Sequence, residues 1–111
     1  MSRGTQQRIA DILQAIDRCN RYLKSLTSQD RDLVDMAEDA VERNLQIIGE
    51  AVVHLPAEIT DTHLEIAWPQ IRGFRNILVH QYFGVDPDTI RDVIESHLPA
   101  LEAALREHAT D

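Results

Sequence analysis

Apolar residues recur at steps of three and four along most of this chain, the period of helices that bury one face. Ile9, Ile12, Leu13, Ile16, Cys19, Leu23 and Leu26 mark a first amphipathic helix over residues 5–26, with Thr5 as its N-cap. Thr27-Ser28-Gln29-Asp30 then offers turn and capping side chains. Leu33, Met36, Ala37, Ala40, Val41, Asn44, Leu45, Ile48, Ala51, Val52 and Leu55 carry a second helix that ends at Pro56. Residues 56–67 mix Pro, Thr, Asp and His without a clear period, so a connector with at most one helical turn is expected there. Pro69 suits the first turn of a third helix, which turns Ile71, Phe74, Ile77 and Leu78 inward and stops near Gly84. Asp86 and Pro87 pair an N-cap with a first-turn proline and restart the chain as a fourth helix, striped by Ile90, Val93, Ile94, Leu98, Leu101 and Leu105. Pro99 is expected to kink or split that helix. The chain has no sustained alternation, no Asn-Gly hairpin turn and no internal repeat, and its connections are short. The pattern therefore predicts an all-α fold, an antiparallel four-helix bundle in one domain spanning residues 1–111.

A chain of 111 residues buries about 65% of the surface it exposes when unfolded, a modest core that makes self-association expected. With 43% hydrophobic and 27% charged residues, the composition is that of a packed globular domain. Cys19, the single cysteine, forms no internal disulfide, and no Cys-x-x-Cys pair suggests zinc. The first eight residues lack the apolar core of a signal peptide, and no stretch approaches the ~18 apolar residues of a membrane span. A reducing, cytoplasmic setting is the expectation.

The net charge of −8 argues at first against a nucleic-acid ligand, since phosphates call for a basic surface. The charge is uneven, however. Residues 1–26 carry +3 and residues 64–83 carry +1, against −7 over 27–63 and −5 over 84–111. If the first and third segments lie side by side, they form a non-acidic face compatible with a polyanion; solvated helix faces explain the same distribution.

Most of the chemistry lies in residues 71–83, Ile-Arg-Gly-Phe-Arg-Asn-Ile-Leu-Val-His-Gln-Tyr-Phe. At about 100° per residue, Gly73, Asn76 and His80 share one stripe of the third helix, while Arg75 and Tyr82 share another about 140° away. Either Arg75 bends round to His80, or a symmetry mate completes the site. Gly73 in mid-helix costs about 1 kcal/mol relative to Ala, and close approach of another helix or a phosphate would offset it. Histidine moves protons near neutral pH, and arginine presents a fixed cationic fork to phosphate oxygens. His80 and Arg75 together suit metal-free phosphodiester cleavage, with Asn76 orienting either group. Spacing alone favours a plainer alternative, in which Arg75 pairs with one of the abundant acids and His80 is a hydrogen-bonded helix residue. By the same standard Tyr82 is an aromatic residue closing the helix end.

Arg75, Asn76, His80 and Tyr82 resemble, in register, the Arg-x4-His-x-Tyr motif of HEPN-domain proteins, specifically the HepT type of ribonuclease toxin. Gly73, Phe83, Val85 and Asp86 fit the same pattern, as do residues 44–51 and His97-Leu98-Pro99, so the resemblance covers about residues 30–105. One departure is Ile66-Ala67-Trp68-Pro69, where the family often has Ile-Pro-Trp; it bears on where the third helix starts. The resemblance implies a homodimeric, metal-independent endoribonuclease, the toxin of a type VII-like toxin-antitoxin system, with no cofactor of its own. Arg75 and His80 of both copies would meet in a composite cleft. The partner implied is an MNT-type nucleotidyltransferase antitoxin, which uses ATP to attach AMP to the motif tyrosine, here Tyr82. The added negative charge and bulk would exclude RNA.

A reading of a different class is a non-catalytic helical adaptor that binds nucleotide or a nucleotidyltransferase partner through the same face. Among the remaining candidates, Glu50 and His54 stand at i,i+4, a spacing able to bind metal, yet no second such pair accompanies them and a surface role is expected. His63, His97 and His108 are expected to be isolated and solvated. Trp68 and Phe74 are expected in the core or an interface, since five aromatic residues without clustering make a poor base-stacking platform.

Overall fold

In a computed structural model, which describes residues 3–74 and 87–110, the chain is helical and no strand occurs among the described residues. Helix α1 spans Arg3–Tyr22 and buries Ile9, Ile12, Ala15, Ile16 and Cys19, the stripe expected from the sequence. It begins ahead of Thr5, which therefore lies within the first turn rather than capping it. Leu23–Thr27 tightens into a 3-10 helix, where Thr27 Oγ1 donates to the Lys24 carbonyl at 3.1 Å and Leu26 is buried.

Helix α2 spans Arg31–Val53. Asp30 caps it: Oδ1 accepts from the backbone N–H of Asp32 at 3.0 Å and of Leu33 at 3.4 Å, satisfying donors that have no partner inside the helix. Ala37, Val41, Leu45, Ile48 and Val52 face the core, but Leu33 and Met36, expected there too, are 42% and 67% exposed. With Tyr22, Ser25, Ala37 and Ala40 they line an open apolar groove of about 230 Å³ where the end of α1 meets the start of α2. Asn44 is buried with its Nδ2 donating to the Ala40 carbonyl at 2.7 Å, while its Oδ1 has no partner among the described residues.

After Pro56 the connector forms one short helix, α3 (Ala57–Thr60), which buries Ile59 as the single turn anticipated there. Helix α4 is Trp68–Arg72, with Pro69 in its first turn, so the shifted proline leaves the helix start intact. Helix α5 spans Pro87–Arg106 and runs through Pro99 without splitting. Pro99 has no N–H for the Glu95 carbonyl, and both residues are exposed, so water can satisfy that carbonyl.

The long helices pack antiparallel. Arg8 near the start of α1 shares a cleft with Val53 and His54 at the end of α2, which makes α1 and α2 a hairpin. Gln6 binds the chain just beyond α5, which sets α5 antiparallel to α1. Helix α4 packs mainly on α2. The non-acidic face expected from residues 1–26 and 64–83 depends on residues 75–83, which lie outside the described residues. Among the described residues, no helix is long and apolar enough to cross a membrane.

Candidate functional site

Trp68, Ile71 and Phe74 recur every third residue and are 6%, 1% and 2% exposed, so this short segment is pinned to the core along one face while Arg72 points to solvent. The indole N–H of Trp68 donates to the His63 carbonyl at 3.0 Å. The Phe74 ring meets His97 edge-on, with centroids 6.0 Å apart, so His97 is half-buried against an aromatic rather than solvated. These contacts fix the point from which the chain enters the motif. Arg75, Asn76, His80, Tyr82 and the Asp86 cap lie outside the described residues.

Gly73 is described, and its setting differs from the expected one. It follows α4 as its C-cap at φ −81° and ψ −1°, with its N–H directed to the Pro69 and Gln70 carbonyls at 3.1 Å each. A Cβ there would meet those same two carbonyl oxygens at 3.4 Å, so among the described residues no neighbouring helix presses on it. The close approach occurs instead at Gly49 of α2, where a Cβ would lie 3.2 Å from the Ile71 oxygen, 3.6 Å from the Arg72 oxygen and 3.6 Å from Phe74 Cβ. Gly49 is the position at which a missing side chain lets α4 seat on α2.

Glu50 and His54 stand at the end of α2, where with Arg8 and Val53 they line a cleft of about 380 Å³. A second cleft, about 230 Å³, runs beside α4 and α5 between Glu65, Ala67, Ser96 and His97.

Two of the histidines expected to be isolated are in contact. His63 is 6% exposed, and its Nε2 lies 2.9 Å from Nε2 of His108 and 3.5 Å from Oε2 of Glu107. Its Nδ1 lies 3.2 Å from Oε1 of Glu65. The Glu65 carboxyl is held below its ordinary value chiefly by its own backbone N–H, with desolvation opposing and His63 adding smaller lowering effects. His63 is buried because the connector folds across the end of the bundle, with its carbonyl tied to Trp68. The separation of 45 positions between His63 and His108 leaves no local spacing by which the sequence could reveal the pair.

Comparison with known proteins adds to this geometry. The family profile described as Ribonuclease HepT-like matches residues 12–108. A protein of Caldanaerobacter subterraneus subsp. tengcongensis, provisionally described as an RNase, is 35% identical over 96 residues, which make up 86% of this chain and 86% of that protein. The probable ribonuclease HepT of Thermococcus cleftensis is 30% identical over 102 residues, 92% of this chain and 93% of the relative. A Methanocaldococcus jannaschii protein, described as a gamma-glutamylcyclotransferase and provisional RNase, is 35% identical over 91 residues; the match takes in 82% of this chain and 41% of that longer protein. No solved structure matches.

Proposed function

The chain belongs to the HepT-like ribonuclease family, and from that membership we propose that it is a metal-independent endoribonuclease, the toxin of a type VII-like toxin-antitoxin pair. The observation that carries this reading is the family match over residues 12–108, within which Arg75, Asn76, His80 and Tyr82 stand in the order and spacing of the Arg-x4-His-x-Tyr motif. His80 takes the proton of an RNA 2′-hydroxyl, whose oxygen attacks the adjacent phosphorus, or returns a proton to the 5′-oxygen as it leaves. Arg75 balances the charge that builds on the phosphoryl oxygens, and Asn76 orients one of the two.

Two copies of the chain supply the two stripes of one cleft, which reconciles the angle between His80 and Arg75 on a single helix. The apolar groove around Leu33 and Met36 supports this pairing as exposed apolar surface on the described part of the chain. An MNT-type nucleotidyltransferase would silence the enzyme by transferring AMP from ATP to the Tyr82 hydroxyl with release of pyrophosphate, setting a phosphate beside Arg75 where the RNA phosphate would bind.

The test is RNA cleavage by purified, unmodified protein in EDTA, with dimer mass followed by light scattering. Cleavage should persist without divalent metal and fall by at least about a hundredfold in His80→Ala and Arg75→Ala, the range expected for lost acid–base and charge-stabilising groups. Full activity in His80→Ala removes the proposed mechanism. Intact mass after co-expression with a nucleotidyltransferase tests the switch: mass should be added in AMP steps in the wild type and not in Tyr82→Phe.

A further inference from the structure

We propose that His63, Glu107 and His108 form a binding site for a transition-metal ion of the zinc class, which staples the chain beyond α5 to the connector ahead of α4. Nε2 of His63, Nε2 of His108 and a carboxylate oxygen of Glu107 all lie within 4.8 Å of one another. Around a tetrahedral ion with bonds of about 2.0–2.1 Å, ligand atoms stand about 3.3 Å apart. The separation of 3.5 Å between His63 and Glu107 already fits, and the 2.9 Å between the two imidazoles needs to open by only a few tenths of an ångström. His108 sits half-buried in the turn after α5, where such a movement disturbs no packed helix.

Both imidazoles are held in place by their surroundings. The Trp68 indole fixes the His63 carbonyl, and Gln6 fixes the other strand of the site: its Nε2 donates to the His108 carbonyl at 2.9 Å and its Oε1 accepts from the Thr110 N–H at 2.9 Å. Glu65 stands behind His63 at Nδ1, the carboxylate–imidazole arrangement that orients a metal-binding histidine. When Nδ1 donates to Glu65, Nε2 presents its lone pair to a carboxylate and a second imidazole. With His108 protonated at Nδ1, three electron-rich atoms converge at a site where His63 is almost wholly buried, and a cation between them replaces the single hydrogen that otherwise bridges the two Nε2 atoms.

Two imidazoles and one carboxylate, with a fourth position open to water, suit Zn2+, Co2+ or Ni2+; Mg2+ and Ca2+ prefer oxygen ligands. A proton shared between the imidazoles would meet the same electrostatic need, and it is the rival that the experiment must separate. The ion takes no part in RNA cleavage, so the site stands or falls apart from the nuclease reading.

The experiment uses the full chain without a histidine tag, stripped with EDTA, then titrated with Zn2+ by calorimetry and with Co2+ by visible absorption. One equivalent of Zn2+ should bind, raise Tm by several degrees and give the intense absorption of tetrahedral Co2+, while Mg2+ does none of these. His108→Gln and Glu107→Gln, both at positions outside the packed core, should weaken Zn2+ affinity by about tenfold or more, and His54→Gln should leave it unchanged. Equal Zn2+ affinity in wild type and His108→Gln, loss of binding in His54→Gln, or no Zn2+ binding at all each overturns the site; the last leaves the shared proton. RNA cleavage measured in EDTA below the Tm should be unaffected by these changes, which keeps the failure of one proposal distinct from that of the other.

Discussion

Adding a side chain at Gly49 tests the seating of α4 on α2. Alanine is better than glycine within a helix by about 1 kcal/mol, so Gly49→Ala begins with a gain. Against it, the new methyl lies 3.2 Å from the Ile71 oxygen, and the obstacle is backbone of a segment held by buried Trp68, Ile71 and Phe74. Opening that contact by a few tenths of an ångström is overpacking, worth about 1–3 kcal/mol. Gly49→Ala should therefore lose only about 0–2 kcal/mol. Gly49→Val adds two more carbons toward the Arg72 oxygen and Phe74 Cβ, each 3.6 Å from the Cβ position, and should lose roughly 3 kcal/mol or more. Urea unfolding followed by circular dichroism reads both, with Arg43→Ala on the exposed face of α2 as the near-neutral control. A Gly49→Val protein that unfolds at the wild-type urea concentration would show that α4 does not press on Gly49.

Two further outcomes follow from single residues. Asp30→Ala removes the acceptor for the Asp32 and Leu33 N–H groups and should cost about 1 kcal/mol in the same urea assay, whereas Asp30→Asn should recover most of it. Burial pushes the Cys19 thiol from 9.0 up to about 12, so above pH 9 the unfolded chain releases a proton that the folded chain keeps. Its contribution is intact below pH 9 and is lost as pH rises toward 12, by at most about 1.4 kcal/mol per unit, and Cys19→Ala should flatten that decline when stability is measured from pH 8 to 11.

The buried faces of the helices were legible because burial repeats with the helical period: Ile9, Ile12, Ile16 and Cys19 are each at most 1% exposed. The period gives the direction of a face and not its width, which is why Leu33 and Met36 fit the apolar stripe yet stand at its open edge. Glycine is legible as a sign of close approach, but the sequence does not say which glycine another element will meet; Gly49 meets α4, and among the described residues Gly73 meets its own helix. The contact of His63 with His108 depends on how the connector crosses the bundle end, which no local pattern encodes. Arg75, Asn76, His80 and Tyr82 drew their meaning from resemblance to a family motif, since spacing alone also fits an ordinary ion pair and a helix-end aromatic.

Gln6 joins parts of the chain 102 and 104 positions apart, through the His108 carbonyl and the Thr110 N–H. Contacts this distant in sequence carry a large loop-closure entropy and form after the local α1–α2 hairpin. Interactions made late in folding leave the folding rate nearly unchanged and slow unfolding instead. A metal ion at His63, Glu107 and His108 would act at this same late closure, and its main effect would be on how long a folded molecule persists before α5 lifts away.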